Sequence, residues 1–521
     1  MRQSKSDSVL AMIEQLRASD PNKVALVDLE NDEVWTFQDL ATNSAAYGAA
    51  LIGAGVMPGQ TVILLMDNSA VSVLVWCALW RIGVIICPIS NNAMSVKAFA
   101  SAIKQLKSST CVFPKSMVGA STEICDILQK NKIRLLMLAE IVAEHEEACV
   151  EAARTAGNGR RLEFDCDNED EDLAAICFTS GTSGTPKAVA HTFKSYRLNG
   201  ADSINLINFN KTDRMIEYRP LAWFSAQILS LMPFLQLGIT LHLAQTFSLS
   251  KFSVWIEKNA ITVAPGGPAI LRLLRNNGVV KGKGHLESLR LMTNSSAPLM
   301  PGELAEIHQI LGVPIVNLYG CSEVGWLAGK KEASLLDETV GAPVDSVRLR
   351  IEKKECFSGL GKGVGQIVVD SVKIAKEIGF DIVERNALGG GTYYSSDYGK
   401  ILDSGEIVVM GRIDDVINKG GTKISPREIE LAISEHPFVN EVFALGVPDS
   451  VYGQNIACFL TLKGGGRLIP GDMEKFLDKV LPHNRIPRYM YFLDELPKID
   501  VGKVNRHKLR EIWEEQLMTK S

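Results

Sequence analysis

The sequence predicts an α/β protein, with a large N-terminal domain of α/β subdomains whose sheets are mainly parallel and a small C-terminal α/β domain. Three observations carry this. At 521 residues the chain exceeds one ordinary core. Apolar runs of strand length alternate with amphipathic segments through the first four hundred residues or so. After Gly411 the style changes: a turn, a glycine pair and a helix start leave enough chain for a small domain of its own. The expected division is 1–411 and 412–521.

In chain order, TVILLM (Thr61 to Met66) reads as a buried strand. VSVLVWCALWRIGVIICPIS (Val71 to Ser90) is the most membrane-like stretch. Arg81, Gly83 and Pro88 interrupt it, so a helix followed by a buried strand is expected rather than a span. The acidic run DCDNEDEDL reads as a solvated connection, not a metal site. LAAICF (Leu173 to Phe178) is a strand, LRLMTNSSAPL precedes the helical PGELAEIHQIL, and VPIVNLYG is again a strand. Near Ser425 a helix is expected, with Ser425 capping, Pro426 in the first turn and Glu428 completing a capping box.

Charge and cysteines narrow the function classes. A net charge of −5 with no long basic block argues against nucleic acid as a partner and against a polybasic membrane anchor. The amino terminus lacks an apolar core of signal-peptide length. Ten scattered cysteines without a C-x-x-C pair point to a reducing, cytoplasmic compartment.

The chemistry starts at FTSGTSGTPKAV (Phe178 to Val189). It fits neither the Gly-x4-Gly-Lys-Ser/Thr loop nor the G-x-G-x-x-G fingerprint. Gly181 and Gly184 nevertheless allow successive N–H groups to converge, Ser180, Thr182, Ser183 and Thr185 add hydroxyls, and Lys187 adds charge. The preceding strand favours a phosphate cradle over a flexible linker. Glu323, just beyond a strand end, suits a metal or phosphate. Asp397 in an expected turn suits a ribose or is an ordinary turn residue. Arg412 offers a hydrogen-bonding fork, and Lys503 alone would be one more solvated lysine.

Together these segments resemble the adenylate-forming superfamily of acyl- and aryl-CoA synthetases, adenylation domains of peptide synthetases and luciferases. The matches are Thr179 through Lys187, Tyr319-Gly320-Cys321-Ser322-Glu323, the Asp397 segment, Gly411 to Asp415, and Pro497 to Lys503. The resemblance spans essentially the whole chain. It implies a mobile C-terminal domain and a two-step reaction, in which a carboxylate attacks the α-phosphate of ATP, pyrophosphate leaves, and a thiol then displaces AMP.

By that resemblance Thr179, Ser180, Gly181, Thr182, Ser183, Gly184, Lys187 and Ser322 hold the phosphates and Glu323 holds Mg²⁺. Ser296, Ala297, Pro298, Tyr319, Gly320, Asp397 and Arg412 surround AMP, and Lys503 bridges the carboxylate and the α-phosphate. Asp414 is the hinge, and Lys419, Gly420 and Gly421 line a pantetheine tunnel. Trp223, Phe224, Ser225, Gly266, Gly267, Ser295 and Cys321 shape the acid pocket. Ser225 stands where α-amino-acid-activating domains carry an aspartate, which favours an aryl or aliphatic acid. The thiol belongs to CoA or, as the alternative, to carrier-protein phosphopantetheine. Ala188 and Ser396 replace family glycines, which keeps open a non-catalytic nucleotide-binding protein. His191 is expected to pack rather than to catalyse.

Overall fold

The computed structural model describes residues 8–90, 95–106, 108–114, 122–179, 186–279, 286–299, 301–330, 338–379, 381–382, 390–463, 468, 470–498 and 504–518. Among them the strands form four sheets. An eight-stranded sheet runs in the order Asp381–Ile382, Glu377–Ile378, Lys187–Thr192, Leu173–Thr179, Ile85–Ser90, Thr61–Met66, Thr110–Phe113, Arg134–Met137. From Leu173–Thr179 onward its neighbours are parallel. A nine-stranded sheet is parallel from Val24–Asp28 through Thr240–Leu243, Arg214–Glu217, Val263–Ala264 and Leu291–Asn294 to Ile315–Cys321.

The helix Ala70–Arg81 shows why two such sheets need an apolar interlayer. Every residue except Val71 is buried, and Trp76 and Trp80 pack edge to face at 5.3 Å within the main core. A helix apolar all round belongs inside. Arg81, fully buried at its end, meets Asp165 through Nε at 2.5 Å and through its second nitrogen at 3.0 Å. The acidic run is therefore not simply a solvated connection. Asp165 is buried because the Arg81 charge needs a partner there, and Asp170 pairs with Arg197.

The expectation of mainly parallel sheets holds for these two. A four-stranded sheet, Val347–Glu352, Gly365–Ser371, Gly391–Ile401 and Ile407–Arg412, is antiparallel. The smaller C-terminal domain has its own sheet around Val439–Asp449 and Gly453–Leu462, with separate cores centred on Ile429 and Leu477 and on Phe459 and Trp513. Its helix Pro426–Ser434 starts with Ser425 as N-cap and Pro426 in the first turn, as expected, but the capping box does not form. The Ser425 hydroxyl instead bonds the Tyr398 hydroxyl at 2.7 Å, and Glu428 pairs with Arg485. No helix among the described residues is long and apolar enough to cross a membrane.

Candidate active site

Parallel sheets place ligands at the carboxyl ends of their strands; Tyr319 to Glu323, Gly266, Gly267 and Ser295 lie at such ends, whereas Asp397 and Arg412 come from the antiparallel sheet. Leu173–Thr179 and Lys187–Thr192 form an antiparallel hairpin in which Thr179 pairs with Lys187. The ends of the phosphate loop are thus fixed, while Ser180, Gly181, Thr182, Ser183 and Gly184 lie outside the described residues. Ala188 sits inside this ladder opposite Phe178, buried, and its carbonyl accepts the Gly379 N–H at 2.7 Å. Neither Ala188 nor Ser396 is among the residues with positive φ, so neither glycine loss strains the backbone.

Ile315–Cys321 ends at the motif residues. Gly320 has no room for a side chain, because a Cβ would overlap the Gly325 carbonyl oxygen. Tyr319 donates its hydroxyl to Asp397 Oδ2 at 2.8 Å. Burial first, and the Asp397 charge second, push the Tyr319 phenol well above its ordinary range. Asp397 lies not in a turn but within Gly391–Ile401, directly across the ladder from Arg412. The turn-forming residues around it are overridden by strand pairing on both sides. Arg412 Nε is 3.5 Å from Asp397 Oδ1, a loose ion pair rather than a hydrogen bond, and is buried without a hydrogen-bond partner. A carboxylate and an unsatisfied guanidinium nitrogen side by side suit a vicinal diol.

Glu323 is half-buried just past the strand. The Tyr393 phenol and the Cys321 thiol lie near its carboxylate; burial and then the Glu323 charge push the Cys321 thiol well up. A carboxylate with no cation against it among the described residues keeps lone pairs for a hard divalent cation. Tyr393 was not singled out from sequence, and nothing in its local pattern separates it from an ordinary strand tyrosine.

The residues expected to shape an acid pocket follow the ends of neighbouring strands. Trp223 is half-buried, Phe224 is buried and Ser225 is half-buried at the start of a helix that passes into a π-helical turn, Gln227–Leu231. Such turns concentrate at functional sites. Gln227 secures it, donating to Leu221 O at 2.8 Å and accepting from the Tyr196 hydroxyl at 2.5 Å. At Gly266 a Cβ would overlap the Thr293 carbonyl oxygen, and at Gly267 it would press on Ser295 O at 3.3 Å. Ser295 is buried with its hydroxyl unpartnered. Ser296 has φ +77, a strained conformation for serine, followed by half-exposed Ala297 and exposed Pro298.

In the small domain Asp414 is exposed in the turn Ile413–Asp415. Gly420 and Gly421 close the hairpin at φ +58 and +85, and Lys419 lies over the Tyr452 ring. Lys503 lies outside the described residues. The domains meet at Arg272, which grips Glu303 through Nε at 2.5 Å and Glu441 of the small domain at 2.6 Å; Lys498 also reaches Glu441, at 3.1 Å.

The chain is similar to 2-succinylbenzoate–CoA ligase of Geobacillus sp. (strain WCH70), 27% identical across 94% of this chain and 95% of the relative. Its fold matches ATP-bound MatB from Rhodopseudomonas palustris at a TM-score of 0.83 and 22% identity, covering 97% of this chain and 99% of that one. It also matches the Bacillus subtilis o-succinylbenzoate CoA synthetase MenE in complex with its acyl-adenylate intermediate, at 0.79 and 22%, covering 96% and 97%. The AMP-binding enzyme family matches residues 13–378, and the AMP-binding enzyme C-terminal domain matches residues 428–503. With most of its length covered, the chain belongs to the AMP-binding enzyme family.

Proposed function

We propose that the protein is an AMP-forming acid–thiol ligase that activates an aryl or aliphatic carboxylic acid and transfers the acyl group to CoA. The observation that carries this reading is the grouping of Tyr319, Asp397 and Arg412, with Cys321, Tyr393 and Glu323 beside them. In the first step a carboxylate oxygen bonds to the α-phosphorus of ATP and pyrophosphate leaves. In the second, the CoA sulfur bonds to the acyl carbon and AMP leaves.

Asp397 and Arg412 hold the ribose hydroxyls, and Tyr319 fixes the Asp397 carboxylate. Glu323 holds magnesium, which when bound neutralises phosphate charge. Lys503 serves the reacting centre, where charge changes most. The domains divide at 411/412 and turn about Asp414, exchanging Lys503 for Lys419, Gly420 and Gly421. The absence of an acidic side chain at Ser225 supports an acid without an α-ammonium group. Free, largely buried thiols support a cytoplasmic location.

Pyrophosphate exchange into ATP, run over a panel of aryl and aliphatic acids, tests the first step. Exchange with none of them would overturn the reading. With the acid that works, CoA consumption measured against acylation of a carrier protein tests the acceptor, and preference for the carrier would replace CoA.

A further inference from the structure

Three consecutive peptide carbonyls around Glu323 are held by groups from elsewhere in the chain. His191 Nε2 lies 2.8 Å from Ser322 O. The Ala375 N–H donates to Glu323 O over 2.8 Å. Asn199 Nδ2 donates to Val324 O over 3.0 Å. The middle tie is backbone to backbone and depends on no side chain. The tie on the amino side of Glu323 depends wholly on one side chain, His191.

That side chain is itself over-determined. A carbonyl only accepts, so Nε2 carries the ring proton. Complete burial holds the ring neutral, pushing its pKa down to about 3. Nδ1 is therefore an acceptor, facing the Ser195 hydroxyl at 3.0 Å, and that hydroxyl also faces Lys373 O at 2.8 Å. The imidazole stacks on Phe224 at 3.8 Å and 11°, with Tyr196 edge-on at 6.2 Å. Two hydrogen bonds and a stack fix the ring, and the ring fixes the peptide before Glu323. A packing role alone would be met by any apolar side chain of this size; the hydrogen bond to Ser322 would not.

We propose that His191 is a positioning residue, holding the Ser322 carbonyl so that the Glu323 carboxylate stays aimed at its magnesium. The proposal rests on the reading of Glu323 as the metal carboxylate. It makes the acid-pocket residue Phe224, on which the ring lies, part of the same support.

The test is Mn²⁺ binding, followed by loss of the free-ion electron paramagnetic resonance signal, with α,β-methylene-ATP as the unreactive nucleotide. His191→Phe keeps an aromatic stack but loses the donor. His191→Gln carries an amide donor at about the reach of Nε2. Expected are Mn²⁺ binding weakened about tenfold in H191F, near parental binding in H191Q, and at least about tenfold weakening in Glu323→Gln. H191F binding Mn²⁺ like the parent while E323Q is weakened overturns the proposal alone, as does H191Q weakened as much as H191F. E323Q binding like the parent overturns the Glu323 reading and the proposal with it. If H191F does not fold, Ser195→Ala takes its place: it removes the Nδ1 partner, and unchanged Mn²⁺ binding would overturn the proposal.

Discussion

The floor beneath Glu323 and the seam between the two domains are both polar, yet they are built on opposite plans. In the floor, Lys373 is fully buried; it pairs with Asp202 and donates to Trp326 O, while Asn199, Ser203 and Ser195 pin neighbouring atoms. In the seam, Arg272 and Lys498 share Glu441 with side chains 20%, 31% and 11% exposed, and Glu303 has Arg275 as a second partner. The seam groups are partly exposed and share charged partners, whereas Lys373 and Asp202 are buried, with only the Trp326 carbonyl and the Ser346 hydroxyl as further, uncharged partners. The seam is made so that it can be undone, and the floor so that it cannot. That is what the proposed two-step reaction needs, with a fixed metal carboxylate and a domain that turns.

Lys373→Met tests the floor most severely. Burial lowers the Lys373 pKa while Asp202 raises it, so the pair survives only as a pair. Leaving Asp202 buried and unpaired should cost about 3–5 kcal/mol, whereas Asp202→Leu with Lys373→Met should recover most of that loss. Denaturant unfolding of the parent and the two variants checks it. A single mutant of parental stability would mean that the floor is no more rigid than the seam.

Acid should act on one floor residue, His191, and on a buried histidine outside the floor, His242. Burial pushes both pKa values from 6.5 down to about 3. Between those values the unfolded chain binds a proton on each that the folded chain does not, so stability falls as pH falls through that window. Each histidine contributes a slope of about 1.4 kcal/mol per pH unit. His191→Gln should therefore flatten the pH dependence of stability by about one proton below pH 6.5, and equal slopes in variant and parent would refute the assignment.

The seam should respond to Arg272→Ala mainly through domain position. Glu303 and Glu441 keep Arg275 and Lys498, so stability should drop by only about 1 kcal/mol. A bias of that size is roughly a fivefold change in the balance of two arrangements. Single-turnover adenylate formation and thiol transfer should thus change by different factors. Equal changes in both would show that Arg272 does not distinguish the arrangements.

The glycine-marked motifs were more legible than the floor or the seam. Tyr319 to Glu323, Gly266 and the Gly420-Gly421 hairpin are short runs whose residue types announce their geometry. The floor's members are spread from His191, Ser195 and Asp202 to Trp326 and Lys373, each locally an ordinary residue, and only the tertiary fold brings them together. Asp397 was placed in a turn because Ser, Asp and Gly cluster around it, but pairing with Arg412 decides its conformation. The Asp165 run looked solvated because its buried partner, Arg81, lies far back in the chain.

Ala188 provides the finest test, because it shares the strand Lys187–Thr192 with His191. By the family pattern a glycine belongs here, and on pattern alone restoring it should improve a weakened loop. The geometry argues otherwise. Ala188 is 3% exposed, its φ is not positive, and it is paired to Phe178 on one side while its carbonyl holds Gly379 N–H on the other. No strain exists for glycine to relieve, and a buried methyl group and some backbone order would be lost. Ala188→Gly should lower stability by about 0.5–1 kcal/mol and leave pyrophosphate exchange unchanged. A gain in exchange rate would show instead that the loop needs freedom at this position, and that the fixed region ends one strand sooner than His191 suggests.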